Sequence, residues 1–258
     1  MAMTVPTVEF LGVKLTPAPE PVLQQEISRL AAREEPGIVF LANVHSMNLC
    51  WRYPWLRDSY QQADIVYIDG AGVALGARLL GLGRFRRVTL HDWGWPLSRY
   101  LAAQGHSLYL LGSREGVAAL AARRLQAHAP GLRVVGTHHG YFAKSGPENE
   151  AVIQAINRQK PDILMVGLGM PLEQRWILEN YRRVKAKVFW EVGAAFEFWA
   201  GVTPACPVWL GNLGLNWLFR FILEPRRLAD RYLRGNTRFL LRVLRAKLAS
   251  FRPGADGG

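Results

Sequence analysis

Cysteine is scarce in this chain, which has only Cys50 and Cys206 among its 258 residues. The two form no Cys-x-x-Cys pair and no spacing with histidine that suits zinc, which excludes a disulfide scaffold and a zinc finger. About half of the residues are hydrophobic, so the composition is that of one large or two small globular units. Two lone thiols indicate a reducing compartment, and we expect the cytosol.

The N-terminal segment lacks the basic-then-apolar layout and the cleavage site of a signal peptide, and we expect no export. One uncharged run, 198–219, is long enough to cross a bilayer. It contains two prolines, three glycines and two asparagines, which would break a lipid-exposed helix. The sequence therefore predicts no transmembrane span.

Acidic residues are few at the C-terminal end. Residues 1–216 carry 22 basic and 17 acidic side chains, whereas 217–252 carry 10 basic and 2 acidic ones. We therefore predict an α/β catalytic domain over 1–200, a basic membrane-associating appendage over 201–252 and a disordered tail over 253–258. Within the appendage, 236–252 shows one apolar and one arginine-rich helical face, which suits an anionic membrane surface. Packing of this helix on its own domain or on a partner is the alternative.

Short apolar runs rich in β-branched residues alternate with longer segments of helical periodicity, which is typical of βαβ units. The predicted strands are 38–44, 65–68, 107–111, 133–135, 163–166 and 188–192. The predicted helices are about 46–62, 72–82, 93–104, 114–128, 148–159 and 172–183. We expect an α/β fold, an open and mostly parallel Rossmann-like sheet with helices on both faces, followed by a basic amphipathic helical appendage.

Ligands of such sheets bind outside the carboxyl ends of the strands. Glycines stand there in this chain, namely Gly112, Gly136, Gly167 and Gly169. They would let backbone amides approach a phosphate, although glycine also ends strands for purely conformational reasons. Neither common nucleotide fingerprint is complete, because Leu75 occupies the third glycine position after Gly70-Ala71-Gly72 and no P-loop occurs.

The strand-end motifs, taken in order, resemble the WecG/TagA/CpsF family, glycosyltransferase family 26. The matching pieces are Asn43, Asp69-Gly70, RVTLHDW (87–93), LYLLGSREG (108–116), VVGTHHGYF (134–142), VGLGMPLEQRW (166–176), VGAAFEFWAG (192–201) and GLNWLFRFILEPRRLADRY (214–232). The resemblance spans roughly residues 38–235. It implies an inverting transferase that moves a sugar from UDP to a polyprenyl-diphosphate-linked saccharide in bacterial cell-surface polysaccharide synthesis. The sugar would be of the N-acetylmannosamine type, its uronic acid or glucose.

The resemblance also implies a peripheral enzyme on the inner face of the cell membrane that works without a metal or other cofactor. No Asp-x-Asp occurs, so the usual carboxylate pair that holds Mg²⁺ on a nucleotide-sugar diphosphate is absent. His138 and His139 are adjacent and have no third ligand at a suitable spacing, so we predict no metal site. The expected partners are a UDP-sugar, the lipid-linked acceptor and an anionic membrane surface, without nucleic acid; a homo-oligomer is left open.

Asp69, by this resemblance, is the general base that removes the proton of the acceptor hydroxyl. The resemblance also places Asn43 in catalysis, as a group that orients the donor or the acceptor. For both Asp69 and Asn43, the alternative role is to cap the helix that follows. The resemblance assigns Arg227 and Arg231 to catalysis and Arg220 to substrate binding, in a segment that closes over the active site.

Three further residues match substrate-binding positions but depart from the family pattern around them. Asp92 follows Leu90, where the family usually has glycine, and Glu173 and Gln174 stand in the reverse of the usual Gln-Glu order. Two other readings of the chain remain open. One is a basic nucleic-acid-binding α/β protein, and the other is a Rossmann-like enzyme with a different nucleotide cofactor.

Overall fold

The computed structural model describes residues 5–250, except for the side chains of Val208 and Asn212. It contains a two-stranded antiparallel hairpin and a six-stranded sheet in which every pairing is parallel. The hairpin strands are β1 (Val8–Phe10) and β2 (Val13–Leu15). The sheet strands are β3 (Gly37–Ala42), β4 (Ile65–Ile68), β5 (Ser107–Gly112), β6 (Arg133–His138), β7 (Ile163–Gly167) and β8 (Val188–Glu191). Their order across the sheet is β4-β3-β8-β7-β5-β6.

Helices cover both faces of the sheet, which confirms the predicted α/β fold. They are α1 (Glu20–Ala31), α2 (Val44–Arg52), α3 (Pro54–Gln62), α4 (Ala71–Leu79), α5 (Leu90–Ala103), α6 (Val117–His128), α7 (Gly146–Gln159), α8 (Leu172–Asn180) and α9 (Ala195–Trp199). The C-terminal segment adds α10 (Val208–Asn212), α11 (Asn216–Leu223), α12 (Pro225–Ala229), a π-helical turn (Asp230–Arg234) and α13 (Gly235–Ala249). Two apolar cores form, one with α1, α5, α6 and α9, the other with α2, α3, α4, α7, α8, α13 and the hairpin.

The predicted strands are all present, but several boundaries differ for identifiable reasons. The predicted helix 46–62 is two helices, because Pro54 lacks an N–H and its ring would clash with the preceding turn; α2 ends at Arg52 and Pro54 opens α3. The strand predicted over 38–44 ends at Ala42, since Asn43 caps α2. The hairpin was not predicted, because strands of three residues carry too little periodicity. Helix α1 was not predicted either.

The C-terminal segment packs on the domain through α13. Phe239 and Val243 are buried against α4 and Phe10, whereas Leu240, Leu241, Leu244 and Leu248 are exposed. The single apolar face expected from the sequence is therefore two faces, of which one packs on the domain and the other meets solvent. No helix within residues 5–250 is long and apolar enough to span a membrane. The tail predicted as disordered, 253–258, lies outside the described residues.

Candidate active site

A cavity of about 1370 Å³ opens at the carboxyl ends of β3, β4, β7 and β8. The C-terminal segment forms its far side, from Leu213 to Val243. Eight of the predicted site residues line this one cavity: Asn43, Asp69, Gly167, Gly169, Glu173, Arg220, Arg227 and Arg231. The sequence thus identified six polar or charged lining residues and two lining glycines, although these residues lie far apart along the chain.

Asp69 and Asn43 are brought side by side by the register of their strands. Ala42 of β3 pairs with Ile68 of β4, so the residues that follow are neighbours. The Asn43 Oδ1 accepts the N–H groups of His45 and Ser46, each at 3.0 Å, and thereby caps α2. The amide that remains donates to the Asp69 carboxylate. Capping and orientation of the acid are therefore two functions of the same asparagine side chain.

The Asp69 carboxyl is positioned as an acceptor of protons. Burial raises its pKa, while the nearby His91, the Asn43 amide, the Leu90 N–H and the charge of Arg220 act in the opposite direction. The alternative assignment as a helix cap is not observed: Gly70 is the N-cap of α4, without a side-chain hydrogen bond to that terminus. Asp69 can thus take up a proton inside the cavity while fixed hydrogen bonds hold it in place.

Two half-buried arginines, Arg220 and Arg231, supply positive charge near this acid. Within residues 5–250, no ion pair is found for Arg220 or Arg231, and the Nε of each is buried without a hydrogen-bond partner. Arg220 lies over the Phe198 ring at 5.3 Å, and the electrostatic influence of both guanidinium groups reaches Asp69. Burial lowers the pKa of Arg231. Buried donors without an acceptor indicate a place for an anion.

Arg227 also lines the cavity but has a different environment. Its side chain is 58% exposed and makes a two-pronged ion pair with Glu224, which lowers the pKa of that carboxyl. A guanidinium already neutralised by a carboxylate offers less to a substrate. The catalytic role predicted for Arg227 stays a prediction, with weaker geometric support than that for Arg231.

A pair of carboxyl groups, Glu173 and Glu191, is buried beneath the loop that follows β7. Glu173 Oε2 accepts the N–H groups of Leu168 at 3.1 Å and Gly169 at 3.2 Å, and its carboxyl also meets that of Glu191. Burial raises the pKa of Glu173 to about 7, and burial next to Glu173 raises the pKa of Glu191 well above its usual value. Burial of the two neighbouring groups therefore favours their protonated forms, and the hydrogen bonds of Glu173 Oε2 hold the loop at the cavity.

Four predicted site residues do not line the cavity. Asp92 lies in the first turn of α5 with its side chain 62% exposed, and Gln174 is buried with its Nε2 on the Tyr60 hydroxyl at 3.4 Å. Gly112 allows β5 to lie close to β7, since a Cβ at this position would lie 2.2 Å from the Gly167 carbonyl oxygen. Gly136 lies inside β6, not after it as predicted, and faces the Tyr109 ring.

Several lining or supporting residues were missed by the sequence reasoning, among them His91, His45 and Glu191. His91 lines the cavity and stacks on Phe198 at 4.8 Å; its position inside the matched motif RVTLHDW was the available signal. His45 also lines it, and burial together with the Arg231 charge lowers its pKa to about 4. Glu191 gave no signal, because a carboxylate ending an apolar strand is recognisable as a partner of Glu173 only in three dimensions.

The arrangement suits transfer of a group between an anionic leaving group and a hydroxyl. An oriented carboxylate can remove a proton, and two guanidinium groups that line the cavity can stabilise negative charge as it grows on a phosphate. Among the described residues 5–250, no three His, Cys, Asp or Glu side chains cluster so as to hold a metal ion.

Comparison with known proteins agrees with this chemistry. The model of the glycosyl transferase WecG/TagA/CpsF family matches residues 8–253. Similar proteins include the N-acetylglucosaminyldiphosphoundecaprenol N-acetyl-beta-D-mannosaminyltransferases of Staphylococcus aureus strains MRSA252 and NCTC 8325. Each is 24% identical over 242 residues, which is 93% of this chain and 93% of the relative. The family model covers nearly the whole chain and confirms the resemblance of the motifs: this protein belongs to the WecG/TagA/CpsF family of glycosyltransferases.

Proposed function

We propose that the enzyme transfers a sugar of the N-acetylmannosamine type, its uronic acid or glucose from UDP to a polyprenyl-diphosphate-linked saccharide. The observation that carries the proposal is the cavity in which the oriented Asp69 carboxylate faces the unpaired guanidinium groups of Arg220 and Arg231. The names of the relatives indicate a sugar on undecaprenyl diphosphate as the acceptor and N-acetylmannosamine as the sugar.

The proposed reaction is a single displacement with inversion. Asp69 takes the proton from the acceptor hydroxyl, and the oxygen forms a bond to the anomeric carbon of the donor. On the opposite side of that carbon, the bond to the β-phosphate oxygen breaks, and UDP leaves with the electron pair. Arg220 and Arg231 stabilise the charge that grows on the diphosphate. Glu173 positions the loop of Gly167 and Gly169 at the cavity through the amides that it accepts.

We expect transfer to proceed without a divalent metal, because arginines occupy the role that a metal would have at the diphosphate. The assay is UDP release from several UDP-sugars, with a short-tailed polyprenyl-diphosphate sugar as acceptor. Release should depend on the acceptor and should persist within about twofold in EDTA. Loss of transfer in EDTA with recovery in Mg²⁺ or Mn²⁺ would refute the metal-free mechanism. An equal rate of UDP release with and without the acceptor would refute the transferase reaction itself.

We also propose that the enzyme is peripheral on the cytoplasmic face of the cell membrane and that the exposed leucine face of α13 contacts anionic lipid. Leu244 and Leu248 are 45% and 68% exposed, and Arg238 and Arg245 stand beside that face. Exposed leucines flanked by arginines are typical of helices in the membrane interface.

Point substitutions test this better than truncation, because removal of α13 would also remove the buried Phe239 and Val243. The double variant Leu244→Gln/Leu248→Gln should lose at least tenfold in binding to phosphatidylglycerol vesicles, since two apolar side chains no longer insert. Vesicle cosedimentation measures the loss. Val202→Gln, which changes an exposed apolar residue elsewhere, is the control. An equal loss in both variants would contradict an interface confined to α13.

A further inference from the structure

The cavity continues beyond its polar centre into an apolar arm that runs along the contact of α4 and α13. The arm is lined by Leu75 and Leu79 of α4 and by Phe239, Leu240 and Val243 of α13. The whole cavity, about 1370 Å³, exceeds the roughly 300–1,000 Å³ of a pocket for one drug-sized ligand. A donor bound at the polar centre therefore leaves this arm for another part of the substrates.

The arm begins next to the arginines, because Arg231 and the lining residues of α13 belong to one continuous run of helix. Arg231 lies in the π-helical turn that leads directly into α13, and Asn236, Phe239, Leu240 and Val243 follow along the cavity. Twelve residues of helix correspond to about 18 Å. A ligand that follows this helix meets a cation near Asp69 first, then the Asn236 amide, and apolar side chains after it.

The far end of the arm is open to solvent and continues into the exposed leucine face of α13. Leu75 and Leu79 are 54% and 39% exposed although they line the cavity. Leu240 lines the arm as well, and Leu244 lies one helical turn further on the same side. An apolar chain can thus pass from the arm to the surface that we assign to the membrane without crossing a polar barrier.

Gly76 makes the contact between the two helices possible. A Cβ at Gly76 would lie 2.8 Å from the Phe10 ring and 3.2 Å from Phe239 and Val243. Only glycine lets α13 approach α4 this closely, so the two helices form one apolar wall beside the catalytic centre. The wall is thereby part of the packed fold.

We propose that the α4–α13 arm binds the first isoprene units of the acceptor's lipid tail, with the acceptor diphosphate near the arginines and the sugar hydroxyl at Asp69. This assignment rests on the proposed function. The positive charge of the arginines indicates which ligand the arm binds. A cationic centre followed by an apolar arm complements an amphiphile with an anionic head and a long apolar tail. The arm accordingly recognises the acceptor by its lipid and delivers its sugar to the base.

The test uses soluble acceptor analogues in the absence of membranes and detergent. Sugar diphosphates with isoprenoid tails of roughly 5, 10 and 15 carbons are compared below their critical micelle concentrations, and KM and kcat are obtained from UDP release. For the wild type we expect KM to fall at least tenfold from the shortest to the longest tail, because each buried methylene favours binding. The tail contacts are the same in ground and transition states, so kcat should change much less.

Leu75→Gln and Leu79→Gln should flatten this dependence, with a KM for the longest tail that rises about tenfold toward the value for the shortest. Leu233→Gln is the matched control, because Leu233 is 57% exposed but does not line the cavity. A wild-type KM that is independent of tail length, or equal flattening by Leu233→Gln, would overturn the assignment. The assignment would also be overturned if dihexanoyl phosphatidylglycerol inhibited transfer to the long-tailed analogue as strongly as an isoprenoid diphosphate does. Absence of transfer to every analogue would instead refute the proposed function.

Discussion

Asp69→Asn is expected to lower kcat by roughly 10²–10⁴ while the affinity for UDP stays nearly unchanged. Asparagine fills the same space and can keep the hydrogen bonds around it, but its amide cannot take up the proton of the acceptor hydroxyl. The acceptor oxygen must then attack without a base. Steady-state UDP release and a separate titration of UDP binding distinguish the loss of chemistry from a loss of binding.

The pH profile gives a second readout of the same substitution. Because burial raises the pKa of Asp69, wild-type activity should rise with pH as this carboxyl loses its proton, and the asparagine variant should lack that rise. Asp92→Asn is the control, since Asp92 is exposed and lies outside the cavity; its kcat should stay within about threefold of the wild type. Turnover of Asp69→Asn within threefold would remove Asp69 from the mechanism.

Arg231→Ala should lower kcat for a soluble acceptor by roughly 10²–10³, because a cation at the leaving diphosphate then no longer stabilises the transition state. Arg231→Lys should recover only part of the rate, since an ammonium group lacks the planar fork that pairs with a phosphate. The folded state should not suffer from the alanine substitution, because Arg231 has no ion pair within residues 5–250 and removal of its partly desolvated charge relieves the cost of desolvation.

Arg234→Ala is the matched control for this prediction. Arg234 lies three residues further along the same π-helical turn, but its side chain is 75% exposed and pairs with Asp230. Its replacement should leave transfer unchanged, and neither variant should weaken binding to vesicles. If both alanine variants lost transfer to the same extent, the loss would reflect the total charge of the segment, and the specific role of Arg231 would be wrong.

Local patterns determined most of the sheet and much of the cavity lining. Buried parallel strands need continuous apolar runs, so 65–68 and 163–166 were recognisable without any knowledge of their neighbours. Ligand sites of such sheets lie at the strand ends, where Asp69 and Asn43 stand, but the roles of both residues were assigned through the resemblance to the family. The arginines of the C-terminal segment were assigned in the same way, because a run of basic residues does not by itself indicate where in the fold it lies.

Only the tertiary structure decided which of these residues meet. Gly136 satisfied the same local rule as Gly169, but it lies inside β6 and faces the Tyr109 ring. Asp92, which the resemblance to the family indicated, lies in the first turn of α5 and is turned to solvent. Glu173 in α8 and Glu191 at the end of β8 are 18 positions apart in sequence, and they meet because β7, which leads to α8, lies next to β8 in the sheet.

The sequence by itself determined the parallel α/β fold, the position of the acid and the basic C-terminal segment, because apolar periodicity, strand ends and charge are properties of short stretches of chain. The division of α13 into a packed and an exposed face, the environment of Arg231 and the apolar arm along α4 were decided by tertiary packing. The two faces of α13 and the arm depend on how closely α13 approaches Gly76, and that approach is set by contacts among Phe10, Phe239 and Val243, which no local pattern encodes.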